Sequence, residues 1–205
     1  MIRIAVAKGR IANDAIKLFE KHNIFFPDLS DTRKLVVADT TNQYEIFLVK
    51  PSDTAIYVEQ GVADCGIVGR DILMEDEPGV FRLFPLDIGV CKMCVVGYAD
   101  CDYKNLEKPV VATKFVNSAK NYFEMLNKEC EIIKLNGSVE LAPILKMSDV
   151  IVDIVQTGKT LVENGLSVLD DIYDISSVFI ANKVALKTKK EQLMLISEIF
   201  GQKVE

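Results

Sequence analysis

The chain has one histidine, His22, no excess of basic charge, and no apolar run approaching the ~20 residues that a membrane-spanning helix requires. The missing run excludes a helical span. Met1 to Ile11 reads as a strand met at once by Lys8 and Arg10, not as a secretion leader, so a cytoplasmic location is expected. A net charge of -6 leaves no broad basic surface to replace counterions along a duplex, which excludes generic nucleic-acid binding. A small polyanion stays open, because it needs only a local group of cations and amide N–H groups. Five cysteines at irregular spacing make no paired disulfide framework. Cys91 and Cys94 spell a CxxC, but no second pair follows and His22 is distant, so both are read as parts of a buried strand. The Walker pattern GxxxxGKS/T is absent, as is any Ser/His or Cys/His nucleophile arrangement.

What is present is an ordinary globular composition, 49% hydrophobic and 26% charged over 205 residues, enough for one large domain or two small lobes. IRIAVA reads as a strand, KGR as a turn, and the following helix sets Ile11, Ala15, Leu18 and Phe19 on one face. KLVVAD and YEIFLVK are strand candidates, Pro51 suits the first turn of a helix, and ADCGIVG and RDILMED continue the alternation. Strands alternating with helices predict an α/β protein with a mostly parallel sheet covered on both faces. From Phe81 the texture changes: VFRLFPLDIGVCKMCVVGY reads as two long strands with no helical period. Alternation then resumes from PVVATK to TGKTLVENG, DDIYDISSVFIANK forms a second extended crossing, and KTKKEQLMLISEIFG supplies one closing helix. Crossings near Ile88 and Ser176 imply a discontinuous lobe I, residues 1–88 with 177–205, and a continuous lobe II, 89–176. A ligand cleft between the lobes is expected.

The segment richest in chemistry is VIVDIVQTGKTLVENGL, Val150 to Leu166. An apolar strand ends at Asp153, and a short connection presents Thr157, Gly158, Lys159 and Thr160 where a helix begins. Free amides at a helix start attract phosphate, Gly158 lets the backbone approach the anion, and the threonine hydroxyls add donors. A carboxylate just upstream suits a phosphorylated ribose, whose 2- and 3-hydroxyls it accepts. Asp153 is the first candidate for that role and Glu140 of NGSVELAP the second. The plainer readings are a simple N-cap for Thr157, a solvated strand-end acid for Asp153, and a first-turn acid for Glu140.

VDIVQTGKTLVENGL resembles the phosphoribosyl pyrophosphate loop of the ATP phosphoribosyltransferase family. AVAKGR, RKL at Arg33, VKPSD, YVEQGVADCGIVGRD, ATK at Thr113, KLNGSVELAP and ISSVFIANK resemble that family's other blocks, in its order and over essentially the whole chain. The resemblance implies a two-lobed fold similar to type II periplasmic binding proteins. It implies transfer of a phosphoribosyl group to N1 of the adenine of ATP, at the start of histidine biosynthesis, with Mg²⁺ held mainly through substrate. On these residues it implies Asp153 at the ribose hydroxyls, Thr157, Gly158, Lys159 and Thr160 at the 5-phosphate, and Lys8, Gly9 and Arg10 at the pyrophosphate. Arg33 and Lys50 would place ATP, and Lys8, Arg10, Arg33 and Asp153 would form the catalytic group. Lys50 stands where Arg is expected, which removes a bidentate contact, and Thr54 and Ala55 replace a Val-Pro pair. The chain ends one helix after ISSVFIANK, as in the family's short form. That form implies a catalytic-chain dimer and a hetero-octamer with a regulatory subunit similar to histidyl-tRNA synthetase. Two rivals stand beside this reading: a non-catalytic two-lobed binding module, and a different phosphoribosyltransferase that the phosphate loop alone would permit.

Overall fold

Ile2, Ile4 and Val6 alternate with the equally buried Ala5, so the first strand has to be enclosed on both faces, and the rest of its unit is built around it. The computed structural model describes residues 1–27 and 34–201; Arg33 lies outside them. In chain order the elements are β1 (Ile2–Ala7), α1 (Arg10–Lys21), β2 (Val36–Ala38), β3 (Tyr44–Val49), α2 (Pro51–Glu59), β4 (Cys65–Gly69), α3 (Arg70–Asp76) and β5 (Phe81–Gly97). There follow β6 (Val110–Thr113), α4 (Val116–Met125), β7 (Glu131–Lys134), α5 (Leu141–Ile144), β8 (Val150–Val155), α6 (Lys159–Glu163), β9 (Ser167–Ala181), α7 (Lys183–Thr188) and α8 (Lys190–Ile199). Strands hydrogen-bond in the order β2-β3-β1-β4-β9-β5-β8-β6-β7. The chain divides into one unit of Met1–Leu73, Glu77–Gly89 and Ser176–Glu205 and another of Met74–Asp76 and Val90–Ile175. No helix among the described residues is long and apolar enough to cross a membrane.

In the first unit β1 pairs in parallel with β3 and β4, while β2–β3 and β4–β9 are antiparallel. One face of β1 packs on Ala12, Ala15 and Phe19 of α1, and Phe19 lies edge-on to Phe26 and Phe200. The other face meets Ala55 and Val58 of α2. Gly66 makes that second contact possible: a Cβ there would lie 2.8 Å from Val58 Cγ2 and 2.9 Å from the Ala5 carbonyl oxygen. In the second unit β6 pairs in parallel with β7 and β8, and β5 runs antiparallel to β8. Met93, Val95, Val150 and Val152 face Phe115, just before α4, and Phe123 of α4, while Cys94, Val96 and Ile151 face Val139, Ala142 and Leu161. Glu75 belongs to this unit because its carboxylate accepts the amides of Asn117 and Ser118, 2.9 and 3.0 Å away, at the start of α4.

Four local expectations are corrected. The pair of strands expected after Phe81 is one 17-residue strand, β5, because Gly89, at φ +69°, absorbs the irregularity without ending it. The single closing helix is two, α7 and α8, parted at Lys189, whose backbone leaves the helical region (φ -129°, ψ 29°) while its ammonium pairs with Asp64 at 2.8 Å. SVELAPILKM yields only the one-turn α5, and Lys146 closes it in a left-handed conformation, φ 58°. On α1 the fully buried positions are Ala12, Ala15 and Phe19, with Ile11 and Leu18 only partly covered.

Asp39 closes the β2–β3 connection. Only 3% exposed, it accepts the amides of Thr41 and Tyr44, each at 2.8 Å. Burial by itself would raise its carboxyl, but the donors from Thr41 and Tyr44 outweigh burial and hold it below the ordinary value. A depressed folded value stabilises the protein above the unfolded pKa and loses that contribution as pH falls through the folded one. Asp39→Ala is therefore expected to cost about 2 kcal/mol at neutral pH, with the gap to the parent narrowing below about pH 4. Urea unfolding across that range checks it, and a gap that does not change with pH contradicts it.

Candidate active site

β8 is fixed from both sides, antiparallel to β5 and parallel to β6, and this decides where its polar end points. Val150, Val152 and Ile154 face α4, so Ile151, Asp153 and Val155 must face the other way. The register sets Cys94 opposite Asp153 and Lys92 opposite Val155, and directly opposed residues of an antiparallel pair share a face. Asp153, Cys94, Val155 and Lys92 thus stand on one surface. The strand does not stop at Asp153, as expected from the sequence, but continues to Val155, and the half-buried acid lies two residues inside its end.

Gln156, Thr157 and Gly158 then turn the chain. Gly158 is the N-cap of α6 and sits in the left-handed region at φ 67°, so the capping role belongs to its backbone and not to Thr157. α6 is only five residues long, which makes its dipole small. The attraction of this turn for an anion rests on the first-turn amides, which have no acceptor within any helix. Thr157, Lys159 and Thr160 are exposed.

A cavity of about 410 Å³ opens beside the turn, lined by Thr157, Gly158, Lys92, Cys94 and Asp171 among others. Lys92 forms an ion pair with Asp171, and the Cys94 thiol donates to the other oxygen of that carboxylate at 3.5 Å. Burial, then the bond to Asp171, pushes the Cys94 thiol up to about 12, so at neutral pH it is a protonated donor. The hydrogen bond from Lys92 holds Asp171 below the usual carboxylate range. Asp153, Lys159 and Thr160 do not line this cavity, and neither does Glu140, which is half-buried as the residue before α5 and makes no side-chain cap bond. A larger hollow of about 710 Å³ on α4 and β7 has lysines at its rim but no glycine turn, so the smaller cavity is the better candidate. Cys91 and Cys94, three apart on an extended strand, point to opposite faces, one packing beside Met93 and the other beside Val96. Such a pair cannot pinch a metal or close a disulfide.

The remaining candidates lie in the first unit. Because β1, β3 and β4 are parallel and in register, the residues just past their ends share one edge: Lys8, Gly9 and Arg10 after β1, Lys50 after β3, and Arg70 after β4. Gly9 adopts φ 95°, ψ -140°, a conformation open essentially to glycine alone, and the Lys8 amide donates to the Val49 carbonyl at 2.8 Å. Lys8, Arg10 and Lys50 are exposed, and among the described residues none of the three forms an ion pair. Sequence reasoning missed Arg70, Lys92 and Asp171. Arg70 had a usable signal, since a basic residue directly after the third parallel strand repeats the position of Lys8 and Lys50. Lys92 and Asp171 had none, because their neighbours are set by cross-strand register.

Gly158→Ala is expected to lower stability by about 1 kcal/mol through its backbone alone, as the nearest atom to an added Cβ is Val155 Cγ1 at 3.9 Å. Chemical denaturation measures this, and an unchanged midpoint would show that the turn relaxes freely.

The sequence profile of the HisG family, ATP phosphoribosyltransferase, matches residues 50–201. An ATP phosphoribosyltransferase of Bacillus cereus (strain AH820) is 46% identical over 204 residues, 99% of this chain and 97% of the relative. Among solved structures, the ATP phosphoribosyl transferase (HisG:HisZ) complex from Thermotoga maritima superposes with a TM-score of 0.82 at 34% identity, covering 98% of this chain and 97% of its counterpart. The periplasmic aliphatic sulphonate binding protein SsuA from Escherichia coli shares the fold alone, with a TM-score of 0.64 at 13% identity over 97% of this chain and 70% of that one.

Proposed function

Since the chain belongs to the ATP phosphoribosyltransferase family, we propose a division of labour among its residues for the reaction it catalyses. That reaction transfers the phosphoribosyl group of phosphoribosyl pyrophosphate to N1 of the adenine of ATP, giving phosphoribosyl-ATP and pyrophosphate, the first step of histidine biosynthesis. Asp153 accepts the 2- and 3-hydroxyls of the ribose. The turn Thr157–Thr160 takes the 5-phosphate. The observation supporting both roles is that one strand carries the acid on the face of Cys94 and Lys92 and leads, a few residues on, into the glycine turn that walls the cavity. Lys8, Gly9 and Arg10 meet the pyrophosphate, and Lys50, with Arg33, places ATP. Glu140 stands as a second acid for the ribose.

N1 of adenine carries a lone pair and needs no prior deprotonation. A new N1–C1 bond forms as the C1–O bond to pyrophosphate breaks, the electron pair leaving with the pyrophosphate oxygen. This chemistry demands alignment of two substrates and stabilisation of a departing anion, not a general base. It suits a chain whose one histidine, His22, is exposed just past α1. Among the described residues no group of three or more His, Cys, Asp or Glu is placed to hold a metal. Mg²⁺, which keeps several waters and binds through substrate phosphates, would be held mainly by diphosphate oxygens and water, where it would neutralise charge on the leaving group. The substrates and product are those of the cytoplasm, where we place the protein. The HisG:HisZ complex from Thermotoga maritima supports a second, regulatory partner chain. We take that partner to be a subunit similar to histidyl-tRNA synthetase, joined with paired catalytic chains in a hetero-octamer.

Asp153→Ala should reduce phosphoribosyl pyrophosphate turnover by a factor of 100 or more, on the order of 3 kcal/mol of transition-state stabilisation, with the fold intact. Ultraviolet detection of phosphoribosyl-ATP, with and without the regulatory chain, reads it; near-normal kinetics removes the role. Thr157→Val should raise KM for phosphoribosyl pyrophosphate more than KM for ATP, and equal effects on both would contradict the phosphate turn.

A further inference from the structure

Without Lys92 the cavity beside the phosphate turn would repel its proposed occupant. Its lining includes two carboxylates, Asp171 and Asp174, and among the described residues Lys92 is its one cation, because Lys159 lies outside it. Lys92 stands directly across from Val155, two residues before Thr157, on the same face of the sheet as Asp153. We infer that Lys92 is a further substrate-binding residue, which leaves Asp171 when the phosphoribosyl substrate arrives and pairs with its 5-phosphate.

The exchange is physically easy. Both partners of the Lys92–Asp171 pair are 51% exposed, and ion pairs between such side chains are weak and readily replaced. A phosphate monoester carries nearly twice the charge of a carboxylate at neutral pH and offers three strong acceptor oxygens. Asp171 is not stranded by the departure, since the Cys94 thiol still donates to it. Asp171 therefore acts as a resident counter-ion that keeps Lys92 at the rim and competes with the ligand. The sign of its effect follows: removing its charge should tighten phosphate binding, whereas an acid that merely braces the site would weaken binding when lost.

This inference rests on the phosphate turn of the proposed function, so its test carries a control for that turn. The full chain is titrated calorimetrically with ribose 5-phosphate and, separately, with ATP, after thermal unfolding shows each variant folded. Lys92→Met is expected to weaken ribose 5-phosphate binding about tenfold with ATP affinity unchanged, and Lys92→Arg to remain within about threefold of the parent. Asp171→Asn is expected to tighten ribose 5-phosphate about two- to fivefold, and that gain should vanish in the Lys92→Met background. Parent-like binding by Lys92→Met while Thr157→Val binds weakly would overturn the role of Lys92 and leave the turn standing. If Thr157→Val also binds like the parent, the turn itself is wrong. Weaker binding by Asp171→Asn, or a gain that persists without Lys92, would overturn the exchange.

Discussion

β8 cannot slip, and most of what the second unit can do follows from that. Val150, Ile151 and Val152 are completely buried, on alternate faces, between partners on both sides, and Thr113 Oγ1 donates to the Val152 carbonyl at 2.6 Å. A shift of one residue would drive Asp153 toward Phe115 and Phe123 and turn Val152 and Ile154 outward. Burying an uncompensated carboxylate in that apolar layer is prohibitive, so the register that fills the core is also the register that sets the acid on the face of Cys94 and Lys92. Packing and chemistry here are one constraint.

Charge follows a similar logic. An acidic chain with a net charge of -6 has little general attraction for polyphosphates, and its cations count only where the fold groups them. Parallel pairing of β1, β3 and β4 groups Lys8, Arg10, Lys50 and Arg70 at one strand edge, and cross-strand pairing sets Lys92 beside the glycine turn. Positive φ at Gly9 and Gly158 lets the backbone make both turns, which side chains with a Cβ would strain.

Much of this was legible in the sequence because it is local. Strands such as IRIAVA and VIVDIV announce themselves as apolar runs too short for buried helices, and TGKT after an acid marks a strand-to-helix turn. What escaped is non-local or depends on one dihedral angle. Nothing near Gly89 says that β5 continues through it, and nothing near Lys189 says that Asp64 holds it where two helices part. The pairing of Lys92 with Asp171 joins positions 79 residues apart through cross-strand pairing, which no pattern along the chain displays.

The central claim is that one strand grips a phosphorylated ribose at both ends. A crystal structure of the chain soaked with phosphoribosyl pyrophosphate tests it most directly. The account predicts the 5-phosphate on the amides of the Thr157–Thr160 turn and the ribose hydroxyls within hydrogen-bonding distance of Asp153. A ribose bound with its hydroxyls away from Asp153, or a 5-phosphate lodged on another element, would contradict it.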